Sequence, residues 1–159
     1  MPVFEREVYV DAPFEEVWAF HSDERGLVAL TPGWMGLHVE ETIGPDGDPD
    51  PEVLEEGSTV VSTMRPFGVG PQQRWVSRIV EREEGDDEAM FRDVMEEGPF
   101  PRWIHTHTFE AVGRQTRVHD RVEYDLPLGP LREVLGPLGT VGLAPMFRYR
   151  HQKTKELLE

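Results

Sequence analysis

Cysteine is absent from the sequence, and lysine is nearly so, with only Lys153 and Lys155 among 159 residues. Without cysteine the chain forms no disulfide bond and offers neither a thiolate metal ligand nor a cysteine nucleophile. No stretch approaches the ~20 apolar residues that a membrane-spanning helix needs. The first residues contain no apolar signal segment either. We therefore expect a cytoplasmic protein that does not insert into membranes.

Positive charge is also scarce, because 16 Lys and Arg residues face 31 Asp and Glu residues, for a net charge of −15. A strongly acidic surface repels nucleic acid and anionic membranes, so we expect neither as a partner. An acidic, lysine-poor composition is typical of adaptation to a salty cytosol, where charges are screened within ~3 Å at molar salt. We predict a halophilic protein, with an ordinary acidic mesophilic protein as the alternative.

The chain does contain enough apolar surface to fold, since 38% of its residues are hydrophobic. Its length suits one domain with a substantial core. No internal repeat or linker divides the sequence, which predicts a single domain over residues 1–159. The composition leaves open whether this domain is a monomer or a homodimer.

Hydrophobic periodicity predicts a strand, two short helices, further antiparallel strands and a C-terminal helix. Residues 3–10 alternate as a strand, and Pro13 opens a helix with an apolar stripe that ends at His21. Gly26 breaks this pattern before a short second helix at 27–30. Further strands are predicted at 34–43, 58–64, 73–81, 89–95, 102–111 and 116–126.

The predicted fold class is therefore α+β, with a curved antiparallel sheet of about six to seven strands wrapped around a long C-terminal helix. Such a sheet buries one face and leaves a cavity between sheet and helix. Glycines and prolines between positions 136 and 145 are expected to interrupt the start of that helix. The shape of the cavity wall that they form is left open.

The last two strands form a hairpin whose register can be predicted. A tight turn at Gly113 and Arg114 sets His107 opposite Asp120, on the buried face. Directly opposite Cβ atoms lie ~4.5–5.5 Å apart, so we expect an imidazole–carboxylate hydrogen bond inside the sheet. A slip by two residues would instead pair Asp120 with His105, whereas a slip by one would expose the aromatic face.

The spacing of His105 and His107 points both imidazoles to one side of a strand, and three interpretations follow. The pair could bind a metal ion with Asp120 as third ligand, form a hydrogen-bonded polar group in an apolar face, or contact a ligand and transfer protons. We favour the hydrogen-bonded group and expect neither a metal nor a cofactor. The acidic segments 40–56 and 81–97 lack the spacing of a calcium loop and are predicted to be solvated loops. Three other histidines are predicted to lie on the surface: His38, His119 and His151.

Several segments resemble one known family. They are VDAPFEEVWAFHSD, QRWVSRIVERE, GPFPRWIHTHTFE, DRVEYDLPLGPL and MFRYRHQKT, in that order along nearly the whole chain. Together they resemble the polyketide cyclase/dehydrase branch of the SRPBCC superfamily, whose helix-grip fold is shared with START lipid-transfer domains and the birch-pollen allergen. The resemblance implies a deep, mostly apolar cavity for a small hydrophobic ligand. It does not imply catalysis, because many members bind ligands without chemistry.

Two functional hypotheses follow, and a third is weaker. The first is binding of a small hydrophobic or amphipathic molecule, with His105, His107 and Asp120 at its polar end. The second is a cyclase or dehydratase in which His107 and Asp120 form the acid–base pair. The third, a protein-binding member, would need an exposed apolar patch, which no run in the sequence indicates. The residues predicted to line the cavity, rather than only to fill the core, are Trp75, Phe91, Trp103, His105, Phe109, Tyr124 and Met146.

Overall fold

The computed structural model describes residues 2–49, 51–65, 68, 71–125 and 139–159. Its elements confirm the predicted α+β order of a strand, two short helices, six further strands and a C-terminal helix. The helices are α1 (Phe14–His21), α2 (Glu24–Leu30) and α3 (Gly139–Leu158), with a short 3-10 helix at Gly33–Met35. The strands are β1 (Val3–Val10), β2 (His38–Ile43), β3 (Thr59–Met64), β4 (Gln73–Glu84), β5 (Glu88–Glu97), β6 (Arg102–Val112) and β7 (Gln115–Asp125).

The seven strands form one antiparallel sheet in the order β1-β7-β6-β5-β4-β3-β2. Helices α1 and α2 carry the chain from β1 at one edge to β2 at the other, and the remaining strands return as consecutive hairpins. The pairing of β4 with β5 shifts register after Val76 and again after Ile79. Such bulges bend a strand and increase its twist. The curved sheet and the C-terminal helix together form the helix-grip arrangement.

The β6–β7 hairpin has the predicted register. Val112 pairs with Gln115 and His107 with Asp120, so the alternative with a two-residue slip is wrong. Gly113 at the tip has a φ of 61°, which glycine adopts without the steric cost of a Cβ. Burial alternates along both strands, so every second side chain faces the interior.

The two helices that follow β1 pack closely against each other, and the second begins earlier than predicted. Gly26 lies inside α2 rather than ending a helical pattern, and α2 begins at Glu24. A Cβ at Gly26 would lie 2.2 Å from the carbonyl oxygen of Phe20, so only glycine allows this approach to the end of α1. The strand predicted from residue 34 begins at His38 instead, because the 3-10 helix precedes it.

The C-terminal helix corrects another prediction. Helix α3 runs without interruption from Gly139 past Pro145, although glycine and proline in this stretch were expected to break it. Residues 136–138 lie outside the described part of the chain. Proline in a helix interior costs one backbone hydrogen bond. Buried Leu143 and Phe147 on either side of Pro145 anchor the helix to the sheet, and packing of this kind supplies most helix stability in proteins.

Two clusters of buried apolar side chains hold the fold together. In one, the Trp18 ring on α1 packs edge-on against Phe109 of β6, with centroids 5.3 Å apart. In the other, Phe147 on α3 packs against Phe4 of β1 at 5.2 Å, beside Tyr124. No helix within the described residues is long and apolar enough to cross a membrane.

Candidate functional site

A cavity of about 140 Å³ lies between the inner face of the sheet and helices α2 and α3. Both apolar clusters contribute to its wall, through side chains such as Leu54 and Ile79 on one side and Phe147 on the other. Five titratable side chains also line the cavity, and they give it a polar part: His21, Asp93, His105, His107 and Arg150.

Most of the predicted ligand-binding residues lie in the cavity wall, but two belong to the closed core. Phe109 and Tyr124 are both fully buried, at 0% exposure, and do not line the cavity. Phe109 is covered by helix α1, where the His21 ring lies 4.7 Å from it. The predicted residues that do line the cavity are Trp75, Phe91, Trp103, His105, His107 and Met146.

Asp120 lies behind the cavity wall, at the centre of three histidines. It is 3% exposed, because the alternation of β7 turns it inward beneath α3. His105 donates from Nε2 to Oδ1 at 2.7 Å, and His151 donates from Nε2 to Oδ2 at 2.6 Å. His107 is the direct cross-strand neighbour, as predicted, yet its Nδ1 lies 3.2 Å from Oδ1 without the alignment of a hydrogen bond. Asp120 therefore forms its hydrogen bonds with His105, which lies diagonally across the strand pair, and with His151 on α3. It forms none with His107, the residue directly opposite.

The prediction that His151 lies on the surface is wrong. Its side chain is buried at 3% exposure and points from α3 toward the sheet. Phe147, His151 and Thr154 are spaced by four and three residues, and all three are buried. This spacing is the signal in the sequence that identifies the inner face of the helix.

Asp93 is a site residue that the sequence analysis missed. It lies on β5 directly opposite His105, and its Oδ2 accepts a hydrogen bond from His107 Nε2 at 2.9 Å. Its side chain is 15% exposed and lines the cavity. The period-two spacing from buried Phe91 places it on the inner face and would have predicted this position. We call Asp93, His105, His107, Asp120 and His151 the His/Asp cluster.

The protonation of the His/Asp cluster follows from burial and from its two carboxylates. Burial and the neighbouring charge of His107 lower the pKa of His105 to about 4, despite its bond to Asp120. Burial likewise opposes a charge on His107, but the nearby carboxylate of Asp120 and the hydrogen-bonded carboxylate of Asp93 outweigh it and raise the pKa of that imidazole. Burial would raise the pKa of Asp120, yet the hydrogen bonds from its histidines hold it well below the usual value. The pKa of Asp93 is lowered in the same way by His107.

The hydrogen bonds also assign the tautomer of His105. An ionised carboxylate only accepts, so the Nε2 atom of His105 carries the proton that it donates to Asp120. Neutral imidazole has a single N–H, and Nδ1 is therefore a free base. This nitrogen has no hydrogen-bond partner among the described residues, and its ring lines the cavity.

Arg150 places a positive charge in the same part of the cavity wall. It faces inward, with its Cζ atom 5.7 Å from the centroid of the Phe147 ring. Its Nε atom is buried and has no hydrogen-bond partner in the described part of the chain. Burial lowers the pKa of this guanidinium, while the charges of Asp120 and Asp93 act in the opposite direction.

Three residues of the wall have the donors of a metal site. Asp93, His105 and His107 each offer one ligand atom, all within 4.8 Å of one another. Two imidazoles and a carboxylate suit a divalent transition metal in type and number. The third donor is thus Asp93 and not Asp120, which the sequence analysis considered. An ion would have to replace the His107–Asp93 hydrogen bond and would lie close to the positive charge of Arg150 as well as to the carboxylates.

Comparisons with known proteins agree with this architecture of a curved sheet and a C-terminal helix. The family described as "Polyketide cyclase / dehydrase and lipid transport" matches residues 10–144, and the chain belongs to this family. No curated protein matches the sequence significantly. The family includes both carriers and enzymes in its description, so it leaves the specific ligand and any reaction open.

Solved structures show the same fold at low sequence identity. Norcoclaurine synthase from Thalictrum flavum is 19% identical, with a TM-score of 0.63 over 99% of this chain and 87% of that chain. A protein from Chromobacterium violaceum is 15% identical, with a TM-score of 0.67 over 99% and 96%. A protein from Thermus thermophilus is 21% identical, with a TM-score of 0.59 over 99% and 100%. These similarities concern the fold alone.

Proposed function

We propose that the protein binds a small, largely apolar molecule with one polar end in the cavity between sheet and C-terminal helix. The observation that supports this best is the composition of the wall, which is mostly apolar and carries its charged groups where the His/Asp cluster and Arg150 meet it. Ligand pockets have this character, with a few polar groups that orient the bound molecule. A volume of about 140 Å³ is close to that of an apolar cavity of ~150 Å³ known to hold benzene. The ligand that fits is therefore about the size of a single ring.

Only part of the polar cluster is available to such a ligand. Asp120 is enclosed by protein donors, and both ring nitrogens of His107 lie beside carboxylates. Asp93, the Nδ1 atom of His105 and the guanidinium of Arg150 remain at the wall. These three groups would orient the polar end of the ligand, while the rings of Trp75 and Trp103 cover its apolar part.

Binding of a neutral single-ring probe to matched variants tests this proposal. Ile79 lines the cavity, whereas its neighbour Val80 on the same strand faces outward at 40% exposure. Isothermal titration with p-cresol should show binding to the wild type and to Val80→Phe, and at least about tenfold weaker binding to Ile79→Phe, which fills the space. Equal affinity of the two variants, or no binding to the wild type, would contradict the proposal.

A second candidate is acid–base catalysis of the cyclase or dehydratase type, and the orientation of His105 favours it. A carboxylate that fixes one imidazole nitrogen as donor leaves the other as a base, which is the arrangement of many proton-transferring sites. The base would then be His105, held by Asp120, rather than His107 as the sequence analysis assumed. It would remove a proton from a carbon next to a carbonyl group, and the guanidinium of Arg150 would stabilise the oxyanion that forms.

Exchange of hydrogen for deuterium at the methyl group of acetophenone in D₂O measures this base directly. The wild type should accelerate the exchange, and His105→Gln should lose the acceleration by at least about a hundredfold. His119→Gln on the outer face of β7 is the matched control and should behave as the wild type. An exchange rate no greater than that of buffer would leave the protein as a binding protein without this activity.

A further inference from the structure

Arg150 is a charged residue of the cavity wall that has no hydrogen-bonded or ion-paired acceptor among the described residues. Its Nε atom is buried without a hydrogen-bond partner, and among the described residues its guanidinium forms no ion pair, although guanidinium has five N–H donors. The charges that act on it, those of Asp120 and Asp93, do so through space. The side chain as a whole is only partly buried, but a buried N–H donor without an acceptor is costly, so a group that supplies acceptors here would bind favourably.

The two carboxylates of the His/Asp cluster do not fill that role, because each is hydrogen-bonded to histidine and neither forms an ion pair with Arg150 among the described residues. Asp120 accepts from His105 and His151, and Asp93 accepts from His107. The positive charge of Arg150 therefore faces the cavity rather than a protein anion. An arginine in this position is suited to a carboxylate, whose two oxygens match the geometry of the guanidinium fork.

We propose that Arg150 binds a carboxylate, or an equivalent oxyanion, of the ligand, so that the ligand class is that of small aromatic or alicyclic acids. This inference rests on the proposed binding function and specifies its substrate class. The apolar part of the ligand lies against Phe147, Trp103 and the aliphatic wall, and the cavity volume limits that part to about one ring.

A pair of probes of equal size separates charge recognition from cavity binding. Benzoate and benzamide differ in charge and hardly in shape, and their affinities are compared at pH 7.5 and constant ionic strength. The wild type should bind benzoate at least about tenfold more tightly than benzamide. Arg150→Gln should lose this preference and still bind benzamide, and Arg150→Lys should retain part of it. Arg148→Gln, on the exposed side of the same helix, is the control that should leave both affinities unchanged.

The outcomes distinguish this inference from the proposed function. Binding of benzamide as tightly as benzoate by the wild type, or an unchanged preference in Arg150→Gln, overturns the role of Arg150 and leaves the binding function standing. Absence of binding of either probe to the wild type overturns both. The NMR signal of the Arg150 Nε–H group gives a test that needs no variant, because it should shift on addition of benzoate and not of benzamide. A signal that is unmoved by bound benzoate contradicts the proposal.

Discussion

The two inward-facing carboxylates, Asp120 and Asp93, lie beside the same pair of histidines and yet differ in their surroundings. Asp120 is enclosed between β7 and α3 by three imidazoles, whereas Asp93 has one imidazole partner and part of its surface in the cavity. A carboxylate has about four acceptor sites. When protein donors bond to both oxygens, as at Asp120, the group holds structural elements together. When they bond to one oxygen, as at Asp93, the other is free to meet a ligand.

Replacement of each carboxylate by its amide is the strongest test of this difference between Asp120 and Asp93. Asp120→Asn leaves three buried imidazoles around a neutral group and should lower the free energy of unfolding by about 3–5 kcal/mol. Asp93→Asn removes a single charge-assisted hydrogen bond at the cavity wall and should cost about 1.5–3 kcal/mol. Urea unfolding at neutral pH measures both values. Equal losses would show that the enclosure of Asp120 has no special structural importance.

The contact between His151 and Asp120 should have the next largest effect, because it joins the helix to the sheet. His151→Gln should lower the free energy of unfolding by about 1.5–3 kcal/mol. The control His119→Gln removes an imidazole near Glu5 on the outer face and should change it by less than about 0.5 kcal/mol. Similar small losses in both variants would contradict the assignment of His151 to the buried helix face.

The register of the hairpin at the centre of the site could be predicted because residues close together in the sequence determine it. The alternation of β6 and β7, together with the glycine turn, fixed which residues are opposite each other, and His107 does pair with Asp120. The side-chain bonds could not be predicted in the same way. Asp120 turns toward His105 and His151, since the position of α3 above the sheet decides which imidazoles reach it.

The residues missed by the sequence analysis share one cause. Asp93, Arg150 and His151 are polar residues on elements whose inner face was not assigned, although each follows the spacing of its buried neighbours. The prediction placed His151 at the surface, and it gave Asp93 and Arg150 no role in the site. Burial of a charged group depends on partners from distant parts of the chain, and these become visible only when strand and helix are assembled.

The free energy of unfolding should also fall in mildly acidic solution. The cause is the buried histidines whose pKa is lowered, while a histidine held between two carboxylates has the opposite effect. Burial lowers the pKa of His21 to about 3 and of His105 to about 4. As the pH falls below 6.5, the unfolded chain takes up protons that these two imidazoles refuse, so the free energy of unfolding decreases until the folded pKa is reached. His107 has a raised pKa, so its effect on stability has the opposite sign. Its contribution to the free energy of unfolding is complete below pH 6.5 and is lost as the pH rises through the folded pKa. The carboxylates contribute fully above their unfolded pKa near 4 and lose stability only in stronger acid.

Urea unfolding between pH 7 and pH 4.5 measures this dependence. Each refused proton contributes about 1.4 kcal/mol per pH unit. His21→Phe should therefore reduce the slope by up to one proton, because the hydrogen bond of the His21 ring within the described part of the chain is to the carbonyl oxygen of Val17 and not to a carboxylate. His38→Gln, at an exposed position, should leave the slope unchanged. A slope that is the same in His21→Phe as in the wild type would contradict the neutral state of the buried imidazole.

Salt should produce the smallest effect, and it separates the surface charges from the buried ones. The net charge of −15 repels itself across the surface of a small domain in dilute buffer, and molar salt screens this repulsion within ~3 Å. The melting temperature should thus rise by at least about 5 °C between dilute buffer and molar potassium chloride, which corresponds to roughly 1–2 kcal/mol. Asp93→Asn should show the same rise, because the variant leaves the outer surface unchanged. A melting temperature that is constant in salt would contradict the halophilic interpretation of the composition. A rise that disappears in Asp93→Asn would instead show that salt acts through the cavity.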